Sequence, residues 1–441
     1  MRLFSRAITL GCTLLLQAPV SAGDGMPARL WSEEPADVSF FAVGRVAPLV
    51  TGHELQSGTA DIRTGWWDRE PATAPWTGHA LELIVKYQQN PLRAARALAL
   101  LHTAMHDALS QAAREQLQPA ARSIALHRAA GLVLGYLYPQ EPAGRFEGLG
   151  VAGASALARR RGVRPEEFEK ALRAAERAAA AVMWRAAHDG AGRQWSVRHR
   201  PQDTAGRWRP TPPIFAHNPV EPLAGHWRTW VLRDGGELMP AAPPAIDSPE
   251  YRREVEEVLR VAERLSPEQK AIADRWHLGQ GSVTPAGVWN RVALDLAAAN
   301  GLDTQRGAEV FAALNAAMTD AFIACWRAKF AWWTERPVTA IRERLDPAFL
   351  PHLVTPAFPS YVSGHAAVSG AAEVVLRNYF PARSGWLREQ AEEAALSRLL
   401  GGIHFRSDNE EGLELGRRIG ERVVARMNPA SPGQRAGTDA R

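Results

Sequence analysis

The chain has 441 residues, which is enough for one large domain or two, and 46% of them are hydrophobic, as in ordinary globular proteins. The formal net charge is only +5, and the charges of both signs are mixed along the chain without a basic block. Composition therefore gives no support for nucleic-acid binding. Beyond the N-terminus, the sequence contains no uninterrupted run of about 18 apolar residues, so it predicts no membrane span in the mature chain.

The N-terminus has the features of a secretory signal peptide. Arg2 and Arg6 precede an apolar stretch that runs from residue 7 to about residue 20, and small residues follow up to Ala22. We therefore predict cleavage near Ala22 and a periplasmic or secreted mature protein. Only one of the two cysteines would then remain, so the exported protein would have no internal disulfide.

Two segments with helical spacing are separated by a proline-rich stretch. Residues 77–192 are rich in alanine, leucine and arginine, with apolar residues at the intervals of amphipathic helices. Residues 201–250 hold 10 of the 31 prolines and predict an ordered connection that is not helical. Helical spacing resumes at two Ser-Pro-Glu helix starts, residues 248–250 and 266–268, and continues to about Met427. No alternating strand pattern is present, so the sequence predicts an all-α fold.

The predicted organisation has five parts. They are a signal peptide at 1–22, an N-terminal helical domain at 23–200, the proline-rich connection at 201–250, a C-terminal catalytic helical bundle at 251–428 and a disordered tail at 429–441. Disorder is predicted for the tail because it is polar, contains proline and glycine, and lies at the chain end. The C-terminal bundle is predicted to be catalytic because it contains three clusters of basic residues and histidines.

The first cluster lies in DAFIACWRAKFAWWTERPVTAIR. Lys329 and Arg336 are seven residues apart, or two helical turns, which predicts that they share one helix face. Trp326 and Trp333 fall on the same predicted stripe, and Pro337 is expected to end or bend the helix. For this helix alone, the pattern favours a tryptophan stripe that faces the core, with basic side chains at its edge.

The second cluster lies in FPSYVSGHAAVSGAAEVVL, where a turn is followed by Ser363, Gly364, His365 and an apolar helix. Gly364 allows close backbone approach, Ser363 offers a hydroxyl, and His365 can hold or release a proton near neutral pH. The first N–H groups of a helix have no internal partner and favour a bound anion. The positive end of the helix dipole is also expected to lower the pKa of His365.

The third cluster lies in SRLLGGIHFRSDNEEG. Arg398 is near the end of a predicted helix, Gly401 and Gly402 break that helix, and His404 follows. Asp408 lies one helical turn beyond His404 and can orient its imidazole if a helix restarts there. Taken alone, a glycine pair between an arginine and a histidine is more typical of a structural helix end.

Together the three clusters supply the groups that a tetrahedral oxyanion needs. Lys329, Arg336 and Arg398 provide three positive charges, which suit phosphate or vanadate. Ser363 and the amide of Gly364 add neutral hydrogen bonds. Two histidines remain, one to bond the central atom and one to move protons.

The order and spacing of these residues resemble the signature shared by vanadium-dependent haloperoxidases and the type 2 phosphatidic-acid phosphatase superfamily. Other segments resemble the bacterial branch of the haloperoxidases: LSPEQKAIADRWHLGQGSVTPAGVWN, NAAMTDAFIACW, RALALLHTAMHDAL and WRPTPP. The resemblance extends over residues 75–427. It implies an acid phosphatase/vanadium haloperoxidase-like fold of two helical bundles, with the oxyanion at the end of the second.

The resemblance also implies roles for individual residues. The oxyanion would be bound by Lys329, Arg336, Ser363, Gly364 and Arg398. His404 would be the axial ligand of vanadium or the nucleophile of a phosphatase, His365 would be the acid–base residue, and Trp326 and Phe358 would line a halide site. Val362 stands where the family usually has proline, which removes a fixed φ angle but no functional group.

These roles imply vanadate as the cofactor, or phosphate as a substrate in the same pocket. Chain length, the long N-terminal helical region and the aromatic pair favour a vanadate-dependent haloperoxidase whose partners are hydrogen peroxide, a halide and a small organic acceptor. The alternative is an acid phosphatase with a histidine nucleophile, and a non-catalytic oxyanion-binding protein is favoured less. A homodimer is one assembly that such a chain could form.

Overall fold

The computed structural model describes residues 31–32 and 65–428, and within them it is α-helical with one isolated antiparallel bridge between Arg207 and Thr334. The predicted all-α fold is confirmed. The predicted signal peptide, its cleavage site and the predicted tail lie outside the described residues. The thirteen α-helices of the described residues are α1 (Thr73–Lys86), α2 (Pro91–Arg114), α3 (Pro119–Leu137), α4 (Arg145–Arg161), α5 (Pro165–His188), α6 (Pro249–Glu263), α7 (Pro267–Arg275), α8 (Thr284–Ala299), α9 (Thr304–Trp332), α10 (Pro337–Arg344), α11 (Gly364–Tyr379), α12 (Ser384–Leu400) and α13 (Arg406–Met427).

The two predicted Ser-Pro-Glu helix starts are confirmed. Ser248 precedes α6, and its hydroxyl accepts a hydrogen bond of 3.1 Å from the N–H of Tyr251. Ser266 precedes α7 and forms a capping box with Gln269, in which each side chain bonds the backbone of the other residue. In both helices proline occupies the first position, where no N–H is needed.

The predicted shared face of Lys329 and Arg336 on one helix is wrong. Helix α9 ends at Trp332, because Trp333 adopts a left-handed backbone (φ 57°) and its N–H closes the last turn on the carbonyl of Lys329. Arg336 is extended (φ −90°, ψ 155°), as expected for a residue before proline, and Pro337 begins α10. The two basic side chains therefore approach the same region from two helices.

Helix α9 is the central element of the core. Asp303 caps its N-terminus by accepting a 2.8 Å hydrogen bond from the N–H of Arg306, and the helix packs against α2, α11 and α13. Among the described residues it is the one helix long and apolar enough to cross a membrane, with a mean hydropathy of 1.3, but 94% of that window is buried by the rest of the protein. This burial identifies it as the core helix that joins the N-terminal helices to the C-terminal ones.

The connection between α5 and α6 contains no α-helix and is held against α9. The buried carboxylate of Asp320 accepts hydrogen bonds from the backbone N–H groups of Trp230, Val231 and Leu232 at 2.7, 2.8 and 3.1 Å. The indole N–H of Trp326 donates to the carbonyl of Val220 at 3.0 Å. These bonds fix the connection beside the C-terminal end of α9.

A short segment far from these helices in sequence is also held in the interior. The N–H groups of Trp31 and Ser32 each donate to the carboxylate of Asp107 on α2 at 2.8 Å, and the Ser32 hydroxyl donates at 2.5 Å. The Trp31 ring is buried, with the guanidinium of Arg426 on α13 5.0 Å from its centre. Residues 31–32 are therefore anchored between α2 and α13.

Candidate functional site

The three sequence clusters meet where five segments end or begin. Lys329 lies in the last turn of α9, Arg336 just before α10, Ser363 just before α11, Arg398 in the last turn of α12, and His404 in the turn before α13. All five residues are buried. Burial lowers the pKa of His404 well below its usual value, and the positive charges of Arg336, Lys329 and Arg398 lower it further. The three cations therefore lie near the same imidazole.

Lys329 is held by backbone carbonyls that sequence alone cannot identify. Its Nζ donates to the carbonyls of Pro359 and Ser360 at 2.8 and 2.7 Å, and lies 5.1 Å from the centre of the Phe358 ring. An ammonium group has three donors, so one N–H remains for a ligand. Burial lowers the pKa of Lys329 to about 7.

One guanidinium nitrogen of Arg336 has no hydrogen-bond acceptor among the described residues. Its Nε donates to the carbonyl of Phe358 at 2.8 Å, and its Nη1 donates to the carbonyl of Ile403 at 2.7 Å and to Nε2 of His404 at 3.0 Å. Its Nη2 is buried without a hydrogen-bond partner among the described residues. Burial lowers the pKa of Arg336 to about 10, so it remains charged at neutral pH.

His404 and Asp408 form a buried hydrogen-bonded pair. Nδ1 of His404 lies 2.8 Å from Oδ2 of Asp408, and the same oxygen accepts from the N–H of Phe405 at 3.1 Å. Burial raises the pKa of Asp408, while the nearby donors and cations oppose that shift. Because Nε2 of His404 faces the Nη1 donor of Arg336, the arrangement favours a proton on Nδ1 and a lone pair on Nε2.

The start of α11 is built as the sequence predicts, with Ser363 as its N-cap. The Ser363 hydroxyl accepts from the N–H of Ala366 at 3.4 Å, and its backbone N–H donates to the carbonyl of Asp408 at 2.8 Å. Gly364 lies directly against an aromatic ring: a Cβ there would be 3.3 Å from Cζ3 of Trp326. Glycine therefore allows the helix start to approach the C-terminal part of α9.

Arg398 and His365 form the other side of the site. Nη2 of Arg398 donates to the carbonyl of Trp276 at 2.5 Å, and burial lowers its pKa to about 9. Nε2 of His365 is buried without a hydrogen-bond partner among the described residues. The pKa of His365 is lowered, as the sequence predicts, and the principal cause is burial, followed by the electrostatic effects of Arg398 and His277.

Trp326 and Phe358 lie together beside the cations. Their ring centres are 4.8 Å apart, and the guanidinium of Arg336 lies 4.8 Å from the centre of the Phe358 ring. Trp326 is buried, whereas Phe358 is partly accessible. The pair therefore forms an apolar wall next to a region of positive charge.

Sequence reasoning missed Ser360. It is fully buried, and its hydroxyl donates to Oδ2 of Asp408 at 2.5 Å. Ser360 lies in the FPSYVSGH segment of the second cluster, but nothing about a serine five residues before His365 indicates a role in the site. Only the folded chain shows that it reaches Asp408, which lies 48 residues further on.

The chemistry of the site fits a tetrahedral oxyanion such as vanadate. Within residues 65–428, none of the three cations Lys329, Arg336 and Arg398 forms an ion pair with a carboxylate. The buried Nη2 of Arg336 and Nε2 of His365 have no partner there, which is costly unless a ligand bonds them. An anion that accepts several hydrogen bonds would satisfy the positive charges and the unpaired Nη2 of Arg336, while Nε2 of His365 would be left to exchange protons.

Known proteins are similar to this chain in the sequence around the candidate site and in the fold. A family model described as the VCPO second helical-bundle domain matches residues 309–385 and 383–431. Vanadium chloroperoxidase of Curvularia inaequalis is 31% identical over 109 residues, which is 21% of this chain and only 18% of the length of that relative. The crystal structure of the first bacterial vanadium-dependent iodoperoxidase has a TM-score of 0.67 and 26% identity, and the match covers 80% of this chain and 95% of that one.

The described residues therefore have the fold of bacterial vanadium haloperoxidases, and residues 309–431 are similar in sequence to that family. A holo-type bacterial vanadium-dependent chloroperoxidase also shares its fold, with a TM-score of 0.58, 16% identity, and coverage of 77% of this chain and 93% of that one. The matched residues 309–431 include all three clusters of candidate site residues, which lie between residues 329 and 408.

Oxyanion binding to this protein should be accompanied by proton uptake at Lys329. The pKa of Lys329 is about 7 because of burial, so about one pH unit above that value most of the side chain is neutral. A bound anion would raise this pKa and draw in a proton. Calorimetric titration with vanadate in buffers of different ionisation enthalpy should show an uptake that is lost in Lys329→Arg, whose charge is fixed.

The matched control is Lys270→Arg, since Lys270 is exposed on α7 and should leave the uptake unchanged. Vanadate contributes its own protonation equally to every variant, so only the difference between variants counts. Equal uptake in Lys329→Arg and the wild type would show that Lys329 is already charged before the anion binds.

Proposed function

We propose that this protein is a vanadate-dependent haloperoxidase that uses hydrogen peroxide to oxidise a halide to a halogenating species. The observation that carries the proposal is geometric: Nε2 of His404 is buried 3.0 Å from Nη1 of Arg336 and near Lys329 and Arg398, and none of these three cations pairs with a carboxylate within residues 65–428. The relatives support it, because two of the similar solved structures are described as a vanadium-dependent iodoperoxidase and a vanadium-dependent chloroperoxidase.

The residues of this chain would hold vanadate in complementary ways. His404 would supply its Nε2 lone pair as the single coordinate bond from the protein. Nη2 of Arg336 and the remaining N–H of Lys329 would bond the oxygens, and Arg398, Ser363 and the amide of Gly364 would complete the cradle. When bound, vanadate supplies activation of peroxide for oxygen transfer to a halide.

His365 would be the group that moves protons. Because burial keeps its imidazole neutral near pH 7, the unpaired Nε2 can accept a proton from incoming hydrogen peroxide. The nearby charge of Arg398 disfavours the imidazolium form, so the proton would be returned readily to a departing oxygen. Peroxide arrives neutral and would need such a base before it could act as a nucleophile.

Trp326 and Phe358 would provide the place for the halide. A large, weakly hydrated anion is favoured next to an apolar surface that also carries positive charge, and both Lys329 and Arg336 lie within 5.1 Å of the Phe358 ring centre. The small organic acceptor would then react with the halogenating species.

The phosphatase alternative uses the same atoms. A neutral His404 with its proton on Nδ1 toward Asp408 has the lone pair that a nucleophile needs, so it could attack phosphorus. His365 would protonate the leaving alcohol only at a pH low enough for its imidazole to have taken up a proton. The His404–Asp408 contact is the observation that keeps this alternative. A non-catalytic oxyanion-binding protein would bind the anion in the same cradle and would catalyse neither reaction.

Two assays on the purified protein separate these functions. We expect halogenation of monochlorodimedone, with chloride, bromide or iodide, to require added vanadate and to be inhibited by phosphate, which has the same shape and charge. Hydrolysis of p-nitrophenyl phosphate without vanadate-dependent halogenation would instead assign a phosphatase. Binding of both anions with neither reaction would assign a non-catalytic role.

We also propose that the protein is exported through its N-terminal leader. Arg2, Arg6 and the short apolar stretch that ends near Ala22 motivate this proposal. When the chain is expressed with its leader in a bacterial host, N-terminal sequencing of protein from the periplasm or the medium should begin near Gly23. An intact Met1 on protein that remains in the cytoplasm would count against export.

A further inference from the structure

Ser360 uses every one of its polar groups to join parts of the candidate site. Its N–H donates to the carbonyl of Thr334 at 3.1 Å, and its carbonyl accepts from Nζ of Lys329 at 2.7 Å. Its hydroxyl donates to Oδ2 of Asp408 at 2.5 Å and lies 3.4 Å from Nδ1 of His404. One fully buried residue therefore contacts a cation, the histidine and the carboxylate that the histidine faces.

The Ser360 hydroxyl is one of three donors that hold the Asp408 carboxylate in its orientation. Oδ2 of Asp408 accepts from the Ser360 hydroxyl, from Nδ1 of His404 at 2.8 Å and from the N–H of Phe405 at 3.1 Å. Two of these donors, Nδ1 of His404 and the N–H of Phe405, lie in the short turn that contains His404 and would move together. Ser360 lies on a different segment, before α11, so it is the donor that fixes the carboxylate relative to the rest of the site.

We propose that Ser360 is a positioning residue that acts through Asp408 on His404. Its hydroxyl holds Oδ2 of Asp408 against Nδ1–H of His404, and this directs the Nε2 lone pair of His404 toward the oxyanion cradle. The same residue sets the position of Lys329 through its carbonyl, so the cation and the coordinating nitrogen share one support. This inference rests on the proposed function only in naming vanadate as the anion.

Ser360→Ala removes the hydroxyl and keeps the backbone contacts. Without this donor the Asp408 carboxylate can turn away, so the Nδ1–H proton of His404 should lose its fixed acceptor. In the cofactor-free protein, the proton NMR resonance of that group, assigned through ¹⁵N-labelled histidine, should move upfield and exchange faster with solvent. Vanadate affinity should fall by about tenfold, the lower end of the usual cost of losing a residue that orients a metal ligand.

Ser369→Ala is the matched control. Ser369 is also fully buried, and its hydroxyl accepts from the indole N–H of Trp289 at 2.9 Å, away from the site. Both variants delete one buried hydroxyl, so both should lower the melting temperature to a similar extent. Only Ser360→Ala should change the His404 resonance and the vanadate affinity.

The outcomes are distinct. An unmoved His404 resonance in Ser360→Ala, or a loss of vanadate affinity no larger than in Ser369→Ala, would overturn the positioning role. If the wild-type protein binds no vanadate at all, the proposed cofactor is wrong, and the His404 resonance alone decides whether Ser360 positions the imidazole.

Discussion

His404→Ala should abolish stable vanadate binding. Nε2 of His404 directs its lone pair at Nη1 of Arg336, 3.0 Å away, and lies near the charges of Lys329 and Arg398, so a bound vanadate would take over this lone pair from Arg336. Loss of a residue that only orients a metal ligand costs about 10–100-fold in affinity, so loss of the ligand itself should cost more. Calorimetric titration of the cofactor-free variant with vanadate, together with vanadium NMR of the mixture, measures the effect.

His188→Ala is the control for this experiment. His188 is exposed at the C-terminal end of α5, and its ring bonds only the carbonyl of Trp184 at 2.8 Å among the described residues. Its removal should leave the titration unchanged. Wild-type affinity in His404→Ala would show that the cations alone hold the anion, and the assignment of His404 as a ligand would then be wrong.

His365→Ala should separate binding from turnover. Lys329, Arg336, Arg398 and His404 remain in this variant, so vanadate should stay bound with nearly unchanged affinity. The proton acceptor for hydrogen peroxide is lost, and the usual contribution of a general acid–base is ~10²–10⁴-fold, so kcat should fall by that factor. Steady-state halogenation with saturating vanadate, alongside the same titration, measures both quantities.

The pH dependence gives a second test of His365. Its pKa lies below the usual value because of burial, so the wild-type base should be neutral at pH 7 and lose activity only as the pH falls toward that lowered pKa. His365→Ala should lack this acidic limb. If His365→Ala loses vanadate while His404→Ala retains it, the two roles are reversed.

The features that could be predicted from sequence are those governed by local rules. The Ser-Pro-Glu starts of α6 and α7 follow from capping chemistry, and the break between α12 and α13 follows from Gly401 and Gly402, of which Gly402 has a positive φ of 72°. The clustering of the site residues could be predicted because their order matches a known signature, and proteins with that signature share the fold that brings these residues together.

The features that could not be predicted depend on long-range contacts. Nothing local indicates that Trp333 becomes left-handed, yet this residue ends α9 and makes the predicted Lys329–Arg336 face wrong. The partners of Lys329 are backbone carbonyls some 30 residues away, and a carbonyl leaves no trace in the residue type. Ser360 was missed for the same reason, since its role comes from its distance to Asp408.

The Asp107 carboxylate has a practical consequence for shortening this chain. A protein begun at Gly65 would contain all thirteen described helices and every candidate site residue. It would also leave the buried Asp107 carboxylate with His106 Nδ1, at 3.1 Å, but without the two amides and the hydroxyl of residues 31–32, at a cost of about 1–3 kcal/mol. Removal of a leader up to Ala22, by contrast, spares that pairing. Trimming for crystallisation should therefore stop before Trp31, because the amino-terminal extension supplies part of the interior.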